Sequence, residues 1–389
     1  MRPEARLAAA AEILDLYLAG EPAEKALTNW ARRSRFAGSK DRAAVRDHVF
    51  DAIRQRRSAG WAGGAETGRG LVIGLLRLQG LDPAASLTGQ GYALAPLRED
   101  EAAVADTAPE LVALDCPDWL EEDLRSSLGA DFSPVLQRLR GRADLFLRAN
   151  LLRGTPTEAA RALAEDGVET EPHPLCDTAL RVLGGARALR NGQAYRDGLI
   201  EIQDASSQAV AAAVPLPASG RVLDYCAGGG GKALALAARK GGEIFVHDGN
   251  PRRMANIPER ARRAAARLTP LEESDLEAGA YDLVVTDVPC SGSGAWRRQP
   301  DAKWRLDADG LAGILQLQRS ILSRASDLVA PGGALAYMTC SLLDAENEAQ
   351  QEQFLVERPG WRLEREIRLS PLQGGDGFFL AILRAERGA

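Results

Sequence analysis

Apolar positions in the first 80 residues recur at helical spacing. Leu7, Ala11, Leu14 and Leu18 fall on one face, and Val45, Val49, Phe50 and Ile53 repeat the pattern. Residues 4–58 are therefore predicted as helices, with a further helix at 71–80. The glycine-rich stretch between them, SAGWAGGAETGRG at 58–70, predicts a loop. The acidic, alanine-rich segment 98–110 reads as a connector. A second unit starts near Cys116-Pro117-Asp118-Trp119-Leu120. It carries a helix, a strand at 145–150, a helix at 156–165 capped by Thr155 or Thr157, and a short strand at 179–183.

From about residue 220 the pattern changes to strands alternating with helices. Strands are predicted at 221–226, 243–248, 281–288, 334–340 and 378–384, with helices at 231–240, 251–267, 308–329 and 345–357. Such alternation predicts βαβ units, a largely parallel sheet and helices on both faces. In sheets of this kind ligands lie beyond the carboxyl ends of the strands. The expected organisation is a helical part at 1–110, a small α+β module at 111–205 and an α/β domain at 206–389.

Composition narrows the possibilities only slightly. The chain has 389 residues, 45% hydrophobic and 26% charged, enough for two or three domains. A formal net charge of −6 argues against binding nucleic acid through bulk positive charge, but leaves room for a local basic face. Arg2, Glu4, Arg6, Glu12 and Asp15 interrupt any signal-peptide core, and no apolar run is long enough to span a bilayer. The cysteines, Cys116, Cys176, Cys226, Cys290 and Cys340, are odd in number and form no CxxC. Free thiols in a cytoplasmic protein, without zinc or disulfides, are the expectation. His48, His173 and His247 share no ligand spacing and are expected at the surface or as caps.

Three sequence features end predicted strands on the ligand-binding edge. The first is the turn Cys226-Ala227-Gly228-Gly229-Gly230-Gly231-Lys232, which leads from a strand into a helix. Glycines allow close backbone approach to a ligand, and the helix start offers unpaired N–H groups. Neither a dinucleotide fingerprint nor a phosphate loop is present, since Ala233 stands where Ser or Thr is needed. The next strand ends in Asp248, about 20 residues after the first glycine, an interval suited to gripping ribose hydroxyls. An adenosine-containing ligand follows, which both NAD and S-adenosyl-L-methionine supply. Asp275 is placed to accept a hydrogen bond from the adenine amino group.

The other two features are cysteines: Cys290 in Asp287-Val-Pro-Cys-Ser-Gly and Cys340 in Thr-Cys-Ser. Paired thiols at strand ends suit covalent chemistry on an unreactive carbon. A thiolate that adds to C6 of cytosine turns C5 into a nucleophilic enamine carbon. A second group then removes the C5 proton so that the first thiol departs. Asp287 is suited to holding the base at N3 and the amino group. The nucleotide must be single-stranded or flipped out.

Taken together these residues resemble the RsmB/Nop/Sun family of RNA cytosine-C5 methyltransferases. Cys226–Lys232 is similar to the family's CAxPGGK motif, Asp287–Gly294 to DAPCSGxG, and Thr339-Cys340-Ser341-Leu342 with Glu346-Asn347-Glu348 to TCS…ENE. Arg297–Trp304, Gln203–Gln208 and Gly377-Phe378-Phe379 add to the resemblance, which covers about 115–389. Gly229, Ala233 and Val288 depart from the family's usual Pro, Thr and Ala.

The resemblance implies a Rossmann-like class I methyltransferase domain, an α+β RNA-binding module and an N-terminal helical domain similar to the antitermination factor NusB, with 30–57 carrying that likeness. It implies S-adenosyl-L-methionine as cofactor, Cys340 as nucleophile, Cys290 as the release group, and Lys232 near the target base. The cofactor site it implies comprises the turn 226–232, Asp248, Arg253, Asp275 and Asp287. Ribosomal RNA is the expected substrate ahead of transfer RNA, and a monomer is expected.

RNA contacts are expected from Arg32, Arg33 and Arg35, in a basic stretch at 29–57, and from Arg297, Arg298 and Lys303 beside the Cys290 loop. Trp296 and Trp304 are suited to stacking on bases. Three other readings stand against this one: a DNA cytosine methyltransferase, which needs no second cysteine; an RNA-binding assembly factor without activity; and an NAD-dependent dehydrogenase, which leaves both cysteines idle.

Overall fold

A computed structural model of the chain describes residues 1–102 and 107–386. Of the connector expected at 98–110, residues 103–106 lie outside the described residues. The chain divides into two compact units, Met1–Arg142 with Trp296–Asp307, and Ala143–Ala295 with Ala308–Ala389. None of the described helices is long and apolar enough to cross a membrane.

The first unit is helical. Helices Pro3–Leu18, Ala23–Arg33, Ser39–Arg54, Arg56–Gly63 and Gly68–Leu78 enclose a core that includes Ile13, Leu14, Val45, Val49, Ile53, Leu71 and Ile73. The loop expected at 58–70 is instead mostly helix, with a short turn at 64–67. Its glycines serve packing. A Cβ on Gly63 would fall 1.9 Å from the Gly70 carbonyl oxygen, and one on Gly74 would fall 1.8 Å from that of Ala59. Only glycine lets these two helices approach so closely.

The second unit holds two sheets. The smaller consists of β1 (Phe146–Ala149), β2 (Glu169–Pro172), β3 (Ala179–Gly184) and β4 (Ile200–Ile202), antiparallel in the order β2-β3-β1-β4. Helix Pro156–Glu165 begins as expected at Thr155, whose hydroxyl accepts from the Glu158 N–H while Glu158 reaches back to the Thr155 N–H. Arg148 of β1 is 3% exposed, and its guanidinium donates to the Gly231 carbonyl at 2.8 Å, fixing the start of the helix after the glycine turn.

The larger sheet comprises β5 (Val222–Asp224), β6 (Glu243–Val246), β7 (Arg267–Pro270), β8 (Tyr281–Asp287), β9 (Val329–Thr339), β10 (Trp361–Leu369) and β11 (Phe378–Ala385). Their order is β10-β11-β9-β8-β5-β6-β7. Strands β7-β6-β5-β8-β9 are parallel, while β11 and β10 run antiparallel to their neighbours. Strand order reverses between β5 and β8, the place where open α/β sheets form their ligand crevice. Asp224, Asp248, Asp287 and Cys340 therefore stand at or just beyond the carboxyl ends of four adjacent strands.

Candidate active site

The glycine turn leaves β5 at Asp224 and enters helix Gly231–Lys240. Gly228 and Gly230 have φ of +50° and +80°, a region that side chains with a Cβ rarely adopt. Asp248 holds the turn from the next strand. Its carboxylate accepts from the Gly228 N–H at 2.9 Å and the Asn250 N–H at 2.9 Å, and Arg253 pairs with it at 3.0 Å. The Asp248 side chain is buried, whereas that of Arg253 is half exposed. The Arg260 guanidinium donates to the Gly229 carbonyl, and Ala233 is fully buried in the core. Beyond Asp248 opens a cleft of about 790 Å³ with apolar walls from Pro251, Met254, Pro258 and Leu271 and acids at Glu272 and Glu273.

Lys232, one residue into the helix, is buried and pairs with Asp287 at the end of β8 at 2.7 Å. Its ammonium also sits 4.7 Å above the Phe378 ring. Asp224 lies behind this pair and is 1% exposed. Neither of its oxygens has a well-formed hydrogen bond. Burial first, and then the charge of Asp287, push its carboxyl up to about 7 from an ordinary 3.8, against the opposing pull of Lys232 and the Ala233 N–H. Burial also pushes the Cys226 thiol up.

The two expected cysteines meet. Their sulfurs lie 3.3 Å apart. The loop after β8 carries Cys290 and the end of β9 carries Cys340, and the Gly294 N–H donates to the Cys340 carbonyl at 2.9 Å. Gly294 passes so close to Gly377 that a Cβ would fall 2.4 Å from the Gly377 carbonyl oxygen. The hydrogen bond to Cys340, followed by burial and the negative charges of Cys340 and Glu346, holds the Cys290 thiol well above its ordinary range. Cys290 keeps some accessible surface, but dense protein around its sulfur accounts for the burial effect.

A fully buried carboxylate, Glu346, joins the two loops. It accepts from the Ser291 N–H at 2.8 Å, the Ser291 hydroxyl at 2.5 Å, the Gln318 amide at 3.0 Å and the Ser341 hydroxyl. Asn347 completes the knot, accepting from the Thr339 hydroxyl and donating to the Ser341 carbonyl at 3.1 Å.

The structure thus gathers the glycine turn, Lys232, Asp248, Arg253, Asp287, Cys290 and Cys340 on one edge of one sheet. Asp275 stands apart. It is exposed in the turn Glu273–Asp275, and its carboxylate accepts from the Glu272 N–H at 3.0 Å. His247 is buried rather than at the surface, with its ring nitrogens 3.2 Å from the Leu271 carbonyl and 3.2 Å from Glu273.

The segment after the Cys290 loop corrects an expectation. Arg297 is fully buried and Lys303 is 4% exposed, so neither presents its charge to a phosphate. The Arg297 carbonyl accepts from Arg54 at 2.6 Å, Lys303 donates to the Asp115 carbonyl at 2.9 Å, and the Trp304 indole donates to the Ile53 carbonyl at 2.7 Å. Desolvation pushes the Lys303 ammonium down to about 8. Trp296, at 1% exposed, is closed to base stacking as well. The segment is an internal strut of the helical unit. Arg298 is partly exposed, and Arg32, Arg33 and Arg35 are exposed, as a phosphate contact requires. Sequence reasoning missed Asp224 and assigned no role to Glu346. An acid closing the apolar run Val222-Leu223 was the available signal for the first, and serines directly after both cysteines were the signal for the second.

Comparison with known proteins bears on the same residues. Residues 213–384 match the family described as 16S rRNA methyltransferase RsmB/F, and residues 116–187 match the ferredoxin-like domain of RsmF/B-like methyltransferases. Ribosomal RNA small subunit methyltransferase B of Xylella fastidiosa is 35% identical over 289 residues, 69% of this chain and 68% of that protein. The chain belongs to the RsmB/Nop/Sun family. The protein of the same name from Xanthomonas campestris pv. campestris is 34% identical over 267 residues, 66% of this chain, and the chain spans only 60% of that relative's length. The crystal structure of PH0851 shares the fold across 98% of this chain and 99% of its own, with a TM-score of 0.77 at 23% identity.

Proposed function

We propose that this chain is an S-adenosyl-L-methionine-dependent RNA methyltransferase that modifies C5 of a cytosine in ribosomal RNA. The observation that carries this reading is the pair of cysteine sulfurs 3.3 Å apart on the strand ends that also bear the Lys232–Asp287 pair. The cofactor fits the residues present. Asp248 and Arg253 are placed to meet ribose hydroxyls, the left-handed glycines clear space along the turn, and the buried carboxylate of Asp224 has acceptor capacity for an ammonium or hydroxyl. Asp275 is the proposed adenine contact. S-adenosyl-L-methionine supplies, when bound, an electrophilic methyl group.

The rest of the chemistry falls to the protein. The Cys340 thiolate adds to C6, forming an S–C bond and moving the ring electrons toward N3. The Asp287 carboxylate accepts from the exocyclic amino group, and Lys232, paired with it, offsets the negative charge that develops at N3. After C5 carries its methyl group, Cys290, as thiolate, takes the C5 proton. The electrons of that C–H bond re-form the C5–C6 double bond, and the Cys340–C6 bond breaks. Replacing Cys290 with alanine is expected to stall the reaction at the adduct. A slow-migrating protein–RNA species on a denaturing gel, absent from wild type, is the result expected. An absent adduct, with wild type still methylating RNA, would reverse the cysteine assignment.

We further propose that the helical domain at 1–110, similar to NusB, contacts RNA phosphates through Arg32, Arg33 and Arg35. All three are exposed and make no ion pair among the described residues. Changing them together to glutamate is expected to lower RNA affinity at least about tenfold and to flatten its salt dependence, with cofactor affinity unchanged. RNA affinity that holds across a salt titration sinks this assignment.

A further inference from the structure

We propose that Glu346 is the positioning residue of the cysteine pair, locking the Cys290 loop against the Cys340 strand end and placing a buried negative charge beside the pair. Its catalytic meaning rests on the reading of Cys340 as nucleophile; its test does not.

The geometry argues for both halves of this role. Ser291 follows Cys290 directly and Ser341 follows Cys340 directly, and one carboxylate takes a hydrogen bond from each. Gln318 donates to Glu346 and also to the Pro289 carbonyl at 2.9 Å, fixing the residue before Cys290 as well. The two loops are joined at a single fully buried point. Four donors converge there, and only an ionised carboxylate has acceptors for all of them; an amide would turn its own N–H groups toward donors.

Charge supplies the second half. A buried carboxylate beside two thiols disfavours the ionisation of whichever thiol it acts on more strongly. The hydrogen bond to Cys340 and burial raise the Cys290 thiol most, and Glu346 adds to them, so Cys290 resists ionisation. The other group facing the pair is Tyr337, whose hydroxyl donates to the Glu346 carbonyl at 2.6 Å and whose phenol burial and Glu346 push well up. It too remains neutral. The two sulfurs share a hydrogen bond at 3.3 Å in which either can donate.

The test uses the full chain without RNA or cofactor. Iodoacetamide alkylation is followed from pH 6 to 10, and each cysteine is quantified by peptide mass spectrometry. The pH midpoint is the readout, because exposure alters rate without moving the midpoint. Cys290 is expected to titrate well above the ordinary thiol range. In Glu346→Gln the Cys290 midpoint is expected to fall by about one pH unit, a tenfold change in thiolate fraction. Glu346→Asp, which keeps the charge, should hold it high. A Cys290 midpoint in the ordinary thiol range in wild type, or one unmoved in a folded Glu346→Gln, would overturn the proposal. If Glu346→Gln fails to fold, Ser341→Ala decides, since it removes one hydrogen bond and leaves the charge. A high Cys290 midpoint there supports the role of charge, and a fall assigns the profile to packing and overturns it. A wild-type protein that shows this high Cys290 midpoint yet methylates no RNA would instead count against the proposed function alone.

Discussion

Cys340→Ser is expected to lower methyl transfer to RNA by about 10⁴-fold or more, while binding of cofactor and RNA stays within a few-fold of wild type. Addition to C6 requires an anionic nucleophile, and a serine hydroxyl at neutral pH supplies almost none. Its surroundings offer little to activate it: the atom beside the Cys340 sulfur is another thiol, and the Glu346 carboxylate is already occupied by four donors. The loss should not reflect misfolding. The Cys340 side chain packs partly against the core, but serine is close to it in size and keeps main-chain contacts such as the Gly294 N–H to Cys340 carbonyl bond. The assay is transfer of a labelled methyl group to ribosomal RNA, with thermal melting as the control. Activity retained within tenfold would move the nucleophile to Cys290 and bring the chemistry closer to that of DNA cytosine methyltransferases. The Cys290→Ala adduct would then be absent as well, so the two variants check one another.

The parts of this molecule that could be read from sequence are those set by local pattern. The five inner and near-inner strands announce themselves as apolar runs because both faces of a central strand are covered. The two outer strands, β7 and β10, do not. Arg267–Pro270 and Trp361–Leu369 lie on sheet edges, are mostly exposed, and carry the charged residues that edges tolerate. Glycines misled at 58–70, where they permit a close helix crossing rather than a loop. The cysteines were legible because a thiol followed by small polar residues at a strand end is an unusual combination. What stayed hidden depends on partners distant in sequence. Lys303 looks like a surface cation until the chain brings it to the carbonyls of Arg54 and Asp115. Glu346 looks like one more acid in a polar stretch until Ser291 and Ser341 fold onto it. Asp224 is the extreme case, since no local feature tells that its carboxylate is sealed from water.

That carboxylate leads to the second large effect. Asp224→Asn is expected to make the protein more stable at pH 8 and less active. In the folded chain the Asp224 carboxyl is raised to about 7 from 3.8, chiefly by burial and then by Asp287, so the folded state holds this proton more tightly than the unfolded chain does. The stability it contributes is complete below about 4, declines as pH rises, and is lost once pH passes about 7. At pH 8 an ionised carboxylate is then buried without well-formed hydrogen bonds, offset only in part by Lys232 and the Ala233 N–H. Asparagine removes that charge at nearly constant shape. A gain on the order of 2–4 kcal/mol is expected at pH 8, and almost none at pH 4, read as the pH dependence of the melting temperature. The same change should lower cofactor affinity at least about tenfold, because a neutral amide attracts an ammonium less strongly than a carboxylate does. A natural chain that retains a destabilising buried acid at the end of β5, next to its glycine turn, is using it for something other than folding. Should Asp224→Asn instead melt lower at pH 8 than wild type, the carboxylate is stabilising where it stands, and the acid belongs to the fold rather than to the ligand.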